Sequence, residues 1–452
     1  MKNIIGILRE GLSKKGEKRV AVTPEYAKQI VEWGYKLIAQ PATHPETGEI
    51  KRAFNDEEYK NAGSEISEDL STADVIFGLK EIDTDRILSN KTYLFFSHTH
   101  KGQQKNRTML STLVENNSTV IDYELIRTHK NVRLVSAFTY IAGYAGMVDS
   151  LWTLGKRLKI KGVPNPFELL KQAIEEEHFN KAKESFKHAA REIESNGTPE
   201  ELPPIIVCIL GKGKTAQGTR ELFDILPHEN ISIDQLKEVY QNGSRKKLYA
   251  LHIDIEEIYR LKNDSKFSQE EYGKLNVRDK WQAYFDHPEF FETNLDKVLP
   301  YITVLMNCII WSPKYPRSTT KSLMKKIYKE HKTLQVIGDI TCDPNGSIEF
   351  SKETWIDDPV YIYNPENETV TDGFEGEGIA VMAVTNLPCE FSADASIQFS
   401  GELAPFYKNI VSTDYKKSFD NSELAPEIKR AVIMWKGEFT EAFKYMKEFI
   451  KK

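Results

Sequence analysis

The chain has 452 residues, 40% hydrophobic and 28% charged, with a net charge of −6. That length exceeds one ordinary core and predicts two domains. The acidic balance gives no electrostatic support to nucleic-acid binding, and no window approaches the ~20 apolar residues of a membrane span.

The first residues carry too short an apolar run before Arg9 and Glu10 for a signal peptide. Cys208, Cys308, Cys342 and Cys389 are far apart and form no CxxC pair. That spacing predicts reduced thiols in the cytoplasm, with no disulfide frame and no metal centre.

In chain order, residues 3–8 (NIIGIL) read as a strand, 10–19 as a charged loop, and 24–34 as a helix with Pro24 at its first position. Strands follow at 35–40, 74–79, 92–97 and 119–122, separated by helices at 56–62 and 103–116. This alternation predicts a parallel α/β sheet. Ligands of open α/β sheets sit beyond the carboxyl ends of the strands. Lys80, Glu81, His98, His100, Lys101 and Glu124 all follow such ends. A lone lysine or histidine is most often a solvated surface group; several at successive strand ends weaken that reading.

Residues 131–138 are compatible with a further strand, and 147–158 with a helix. The small residues Ala142, Gly143, Ala145 and Gly146 would allow close packing where the chain crosses between domains. Residues 159–200 read as a solvated helical pair. Residues 205–210 (IIVCIL) form an apolar run that ends in Gly211, Lys212 and Gly213, before a helix at 215–226. Strand, glycine turn and helix make a dinucleotide-binding context. Gly211 permits the turn, Gly213 lets backbone approach a pyrophosphate, and Ala216 replaces the third glycine of the fingerprint. Asn230 to Ile233 is a candidate second strand, and Asp234 after it would favour a free ribose 2′-hydroxyl. Residues 235–291 are long and polar for such a connection. Arg245, Lys246 and Lys247 could hold a 2′-phosphate or be a solvated charge run. Strands are expected at 301–311 and 335–340, then an apolar run at 379–384. An amphipathic helical tail closes the chain.

Taken together, the motifs resemble a known family. Residues 5–10 (IGILRE) and 18–24 (KRVAVTP) are similar to the opening of the alanine dehydrogenase/transhydrogenase N-terminal superfamily. Residues 78–81 (GLKE) and 96–101 (FSHTHK) resemble its saccharopine-forming branch. Residues 236–239 (LKEV), 244–249 (SRKKLY), 306–311 (MNCIIW), 346–350 (GSIEF) and 386–388 (NLP) resemble the lysine–2-oxoglutarate reductase part of the bifunctional lysine-degrading enzyme of animals and plants. The likeness runs nearly end to end, excluding 159–200. It implies two Rossmann-like α/β domains with parallel sheets and a cleft between them. The first domain, 1–140, is expected to be completed by a helical return at 387–452, and 141–386 to be the nucleotide domain with helical insertions.

The implied reaction is the reversible condensation of L-lysine with 2-oxoglutarate to saccharopine by NAD(P)H, in lysine breakdown. By the resemblance, Lys80 is base toward the substrate amine and His98 is proton donor at the carbon-bound oxygen. Such roles need groups titrating near neutrality; an ordinary histidine does so, while a lysine must be lowered by burial or by neighbouring cations such as Arg19. Arg19 is the implied carboxylate clamp, because a guanidinium forks onto a carboxylate. Lys101, Gln103 and Arg133 are further substrate-side candidates, and Glu81 and Glu124 could hold the lysine ammonium or tune Lys80. Asn307, Asp339, Thr385 and Asn386 join Gly211, Gly213, Ala216, Asp234 and Arg245 on the cofactor side. Thr385 stands where the branch usually has aspartate. NADP(H) is expected to be preferred through Arg245, with NAD(H) usable. The chain resembles the reductase alone, which implies a separate glutamate-forming saccharopine dehydrogenase as partner. The alternatives are another amino-acid dehydrogenase of the superfamily, such as an alanine dehydrogenase, and a non-catalytic nucleotide-binding sensor.

Overall fold

The computed structural model describes residues 2–450. The chain divides into two compact units, Met1–Phe138 with Ser392–Lys452, and Thr139–Phe391.

The first unit is built on an eight-stranded sheet. Six strands run parallel, in the order Thr119–Asp122, Thr92–Phe95, Val75–Phe77, Ile4–Ile7, Lys36–Ala39 and Glu65–Ile66. Val75–Phe77 and Thr92–Phe95 are buried along their whole length, as expected of parallel strands covered on both faces. Pairing is in register at Val75 with Thr92, and at Thr92 with Thr119, so the carboxyl ends align on one edge. The C-terminal return is helical only in part. After the helix Ser392–Ser412 it adds the strand Val432–Trp435, antiparallel to Thr119–Asp122, and then Glu438–Phe439. The apolar run VIMW is buried between Thr119–Asp122 and the outermost strand Glu438–Phe439, and it pairs with both, which an amphipathic helix could not do.

The second unit holds another eight-stranded sheet. Six strands are parallel, in the order Ile379–Met382, Val336–Asp339, Val304–Asn307, Ile206–Leu210, Leu248–Ile253 and His228–Ile231. The hairpin of Val360–Asn364 and Thr369–Asp372 extends it antiparallel. Residues 131–138 do not form the expected strand. They hold one isolated bridge, Arg127 to Arg133, and a helix already begins at Ala137 and runs to Ile160. The small residues lie inside that helix. A Cβ on Gly143 would stand 1.8 Å from the Thr215 carbonyl, and one on Gly218 2.0 Å from the Tyr140 carbonyl. Only glycines permit the helix Lys214–Phe223 to cross that closely.

The segment 159–200 is not a solvated pair either. Its helix Phe179–Asn196 buries Ala182, Phe186, Ala189, Ala190 and Ile193 on one face. Residues 255–293 form short helices around a strand pair, Tyr259–Leu261 with Phe291–Thr293.

Candidate active site

The parallel strands of the first unit place two polar clusters on their carboxyl edge. Lys80 and Glu81 follow Val75–Phe77, and His98 follows the adjacent Thr92–Phe95. The backbone N–H groups of Leu79 and Lys80 donate to the buried carboxylate of Glu10, at 3.0 and 3.2 Å. Burial, and then the neighbouring charge of Glu17, pushes the Glu10 carboxyl up to about 7. Glu10 thus fixes the turn that presents Lys80, and sequence reasoning did not single it out.

His98 sits in the left-handed region, φ 51°, where histidine is one of the few tolerated side chains. Its ring stacks on Phe96, with centroids 6.2 Å apart. Its Nδ1 lies 2.8 Å from Glu81 Oε1, and Lys14 Nζ lies 2.9 Å from Glu81 Oε2. Burial would raise the Glu81 carboxyl, but the hydrogen bonds and charges of His98 and Lys14 outweigh it and hold the group well below the usual carboxylate range. An ionised Glu81 accepts from Nδ1–H, which fixes the tautomer and leaves Nε2 as the working nitrogen. Lys14, in the charged loop, carried no sequence signal of this role.

The second cluster gathers around Glu124. Lys101 Nζ reaches its carboxylate at 2.8 Å and Arg133 Nη1 at 4.0 Å, and His100 Nε2 lies 3.7 Å away. Arg133 also donates to the Val135 carbonyl at 2.9 Å. Behind them Asp122 is fully buried and accepts from the backbone N–H and hydroxyl of Ser97, at 3.0 and 2.6 Å. Burial raises its carboxyl, but the His100 ring 3.8 Å away and the hydrogen bonds from Ser97 bring it below its ordinary value. Gln103 is exposed, and its side-chain oxygen accepts from Asn106 at 3.4 Å. Arg19 is buried beneath this edge, 4.1 Å from the Phe138 ring. Its Nε and Nη2 already fork onto Glu17, at 2.8 and 2.6 Å. That edge of the guanidinium is therefore closed to a substrate carboxylate.

In the second unit the glycine turn forms as the sequence predicts. Gly211 takes φ 90°, a conformation that favours glycine, and a Cβ there would stand 2.9 Å from Ile309. Gly213 is the N-cap of the helix Lys214–Phe223 and has no side chain to cap the first N–H groups. A Cβ on Gly213 meets nothing within 4 Å. Ala216 is fully buried, but the close helix contact belongs to Gly218. The turn opens into a cleft of about 860 Å³ whose walls include Gly211, Gly213, Thr215, Asp254, Ile309 and Thr341.

Two cofactor-side expectations are corrected. Leu248–Ile253 inserts between the glycine-turn strand and His228–Ile231. Asp234 therefore follows the outer edge strand and is exposed. The acid at the end of the adjacent strand is Asp254, a cleft residue only 4% exposed. One of its oxygens accepts from Ile255 N–H at 2.8 Å; Oδ2 is buried without a partner. Burial, then the charge of Glu256, raises this carboxyl. Arg245 lies before the amino end of Leu248–Ile253, a strand that spans on the order of 20 Å. Its guanidinium donates to the carbonyls of Pro199, Glu200 and Leu202. It stands at the amino edge of that strand, the edge opposite the Gly211 turn.

Asn307 and Asp339 are cross-strand neighbours, and Asn307 Nδ2 donates to Asp339 Oδ1 at 2.8 Å. The buried Asn307 Oδ1 has no partner. Thr385 is exposed and Asn386 Nδ2 approaches Cys389 Sγ; both stand outside the cleft walls. The uncapped helix N-terminus, the open space at Gly213 and the unpartnered oxygen of Asp254 together fit a dinucleotide: anion, close approach and ribose hydroxyl respectively. Among the described residues no cluster of three or more metal-ligating side chains occurs, and no helix is long and apolar enough to cross a membrane.

Residues 6–145 match the family described as alanine dehydrogenase/PNT, N-terminal domain. The chain is 33% identical to the alpha-aminoadipic semialdehyde synthase of Arabidopsis thaliana over 98% of its own length, and spans 41% of that relative. It is 23% identical to the saccharopine dehydrogenase (NAD(+), L-lysine-forming) of Emericella nidulans, covering 87% of this chain and 88% of that one. Among solved structures, an L-alanine dehydrogenase superposes with a TM-score of 0.59 at 14% identity, over 99% of this chain and 100% of that one. That structure shares the fold, two α/β units each built on an eight-stranded, mostly parallel sheet.

Proposed function

We propose, from the membership of residues 6–145 in the alanine dehydrogenase/PNT N-terminal domain family, that this chain is an NAD(P)H-dependent oxidoreductase condensing L-lysine with 2-oxoglutarate to saccharopine, reversibly, in lysine breakdown. The observation that carries the reading is Lys80 and the Glu81-bound His98 on adjacent parallel strand ends. They belong to a chain one-third identical, over nearly all its length, to an alpha-aminoadipic semialdehyde synthase.

Lys80 takes a proton from the lysine ε-amine, which adds to the keto carbon of 2-oxoglutarate. His98, held by Glu81 through Nδ1, donates from Nε2 to the carbinolamine oxygen, which leaves as water and gives the imine. The nicotinamide, when bound, supplies hydride to the imine carbon. In the reverse direction the two residues exchange roles. The product carries three carboxylates, for which Lys101 and Arg133 are the cations on the exposed side of the edge. Glu124, which holds both, serves the substrate ammonium.

Cofactor binding rests on Gly211, Gly213 and the N-terminus of the helix they precede. Asp254 favours a free 2′-hydroxyl, and with Arg245 removed from the cleft the balance moves from NADP(H) toward NAD(H). The reading assigns the chain to the cytoplasm, as its isolated cysteines suggest, with a separate glutamate-forming dehydrogenase consuming saccharopine. The test is oxidation of NADH and NADPH with lysine plus 2-oxoglutarate, with pyruvate plus ammonia, and with neither. Turnover only with the first pair supports the proposal; turnover with pyruvate and ammonia makes the chain an alanine dehydrogenase, and none with either a binding protein.

A further inference from the structure

The cleft beside the glycine turn has a wall that the dinucleotide fingerprint does not account for. Residues between Asp254 and Thr293, together with the loop after Val304–Asn307, line it with Tyr259, Trp281, Tyr284, Phe285, Trp311 and Tyr315. In a doubly wound sheet the pyrophosphate lies over the first turn, and the adenosine half extends toward the strand carrying the ribose acid. That strand is Leu248–Ile253, and the aromatic segment begins directly after its Asp254. The part of the wall contributed by residues 255–293 therefore stands on the adenosine side, and Trp311 and Tyr315 reach it from the loop after Val304–Asn307, on the other flank of the glycine-turn strand.

Its construction supports a stacking role. Tyr259 lies over Tyr284, with centroids 4.8 Å apart and planes at 21°, and Tyr284 lies over Tyr315 at 5.3 Å and 11°. This stack makes a backing of two buried rings, Tyr259 and Tyr284, and the half-buried Tyr315. Phe285 stands nearly perpendicular to Tyr284 and Tyr315, with centroids 5.5 and 5.8 Å away, and it lines the cleft while remaining 39% exposed. Lys314 covers Tyr315 and Arg317 covers Trp311, at 4.6 and 5.6 Å. Trp281 is anchored through Nε1 to Glu256 at 2.5 Å. A large hydrophobic ring held at a fixed angle and exposed inside a cleft is an unusual place to leave apolar surface without a ligand.

We propose that the 255–293 segment is an adenine platform, with Phe285 as the face on which the purine stacks. The proposal rests on the nucleotide reading of the Gly211 cleft and adds to it where affinity resides: in the adenosine half. Stacking of a base on an aromatic side chain implies roughly a 10- to 100-fold loss of affinity on truncation to alanine.

The experiment measures binding of NADH and of ADP-ribose, which lacks the nicotinamide, to the full chain by calorimetry, in the wild type, Phe285→Ala and Phe285→Tyr. Folding of each variant is checked by circular dichroism. The proposal expects ADP-ribose to bind the wild type, Phe285→Ala to weaken both ligands 10- to 100-fold, and Phe285→Tyr to restore them. Wild-type binding that Phe285→Ala leaves unchanged overturns the platform and leaves the nucleotide reading standing. Failure of the wild type to bind either ligand overturns both.

Discussion

Glu390→Gln should stabilise the protein at alkaline pH. Asp149 and Glu390 are 0% and 1% exposed, and both are carboxyls. Asp149 accepts from the Ala173 N–H at 2.8 Å, Glu390 accepts from Gln172 at 3.3 Å, and the second oxygen of each has no donor. The charge of Asp149 opposes ionisation of Glu390, so the pair is expected to hold one proton between them. Burial pushes Asp149 from 3.8 up to about 6, with Glu175 adding to the rise, and burial followed by the charge of Asp149 pushes Glu390 well above its ordinary value. Both folded values are raised. The stability they confer is therefore fully present below about pH 4 and lost as pH rises through about 6 and beyond. A rise of two units in Asp149 alone corresponds to on the order of 3 kcal/mol. Glutamine keeps the bond from Gln172 and offers its amide N–H to Asp149, so the repulsion of a second ionised carboxyl disappears. The expected gain is about 2–3 kcal/mol at pH 8 and near zero at pH 4, read as a shift of ~1 M in urea midpoint at a slope of about 3 kcal/mol/M. Tryptophan fluorescence and circular dichroism at both pH values measure it. An equal effect of the substitution at pH 4 and pH 8 would refute the shared proton; Asp149→Asn, which still accepts from Ala173, should reproduce the gain.

Lys80→Met and His98→Gln should each lower turnover by about 10²–10⁴ while NAD(P)H titration stays near that of the wild type, and a double variant keeping most of its turnover would falsify their assignment. Gly213→Val should fold normally, since a Cβ there meets nothing within 4 Å, yet lose cofactor binding; an unchanged titration curve would place the cofactor elsewhere. Gly218→Ala drives a methyl into the Tyr140 carbonyl and should cost about 1–3 kcal/mol in denaturant unfolding, so an unaltered midpoint counts against the close helix crossing. Arg245→Ala should lower the melting temperature and leave the ratio of kcat/KM for NADPH and NADH unchanged, whereas Asp254→Ser should move that ratio toward NADPH. The opposite pattern would return the 2′-phosphate to Arg245.

Much of this was legible in the chain itself. The alternation of apolar runs and helices set the parallel sheets, because period and composition are local properties. The polar residues at 80, 81, 98, 101 and 124 could be assigned to strand ends for the same reason. The glycine turn needed only Gly211 and Gly213 after an apolar strand. Other features depended on which strands become neighbours, and no local pattern encodes that. Asp234 follows the second strand in sequence, but Leu248–Ile253 inserts beside the glycine turn and hands the position to Asp254. Arg245 looked well placed in sequence, and the strand direction put it at the opposite edge. The small residues at 142–146 promised close packing, but their partner, the helix Lys214–Phe223 meeting them at Thr215 and Tyr140, is set only by the tertiary fold. Glu10, Lys14 and the aromatic wall are surface-like or core-like in sequence. Only tertiary packing buries one carboxyl under Lys80, brings Lys14 to Glu81 and stacks three tyrosines from distant segments.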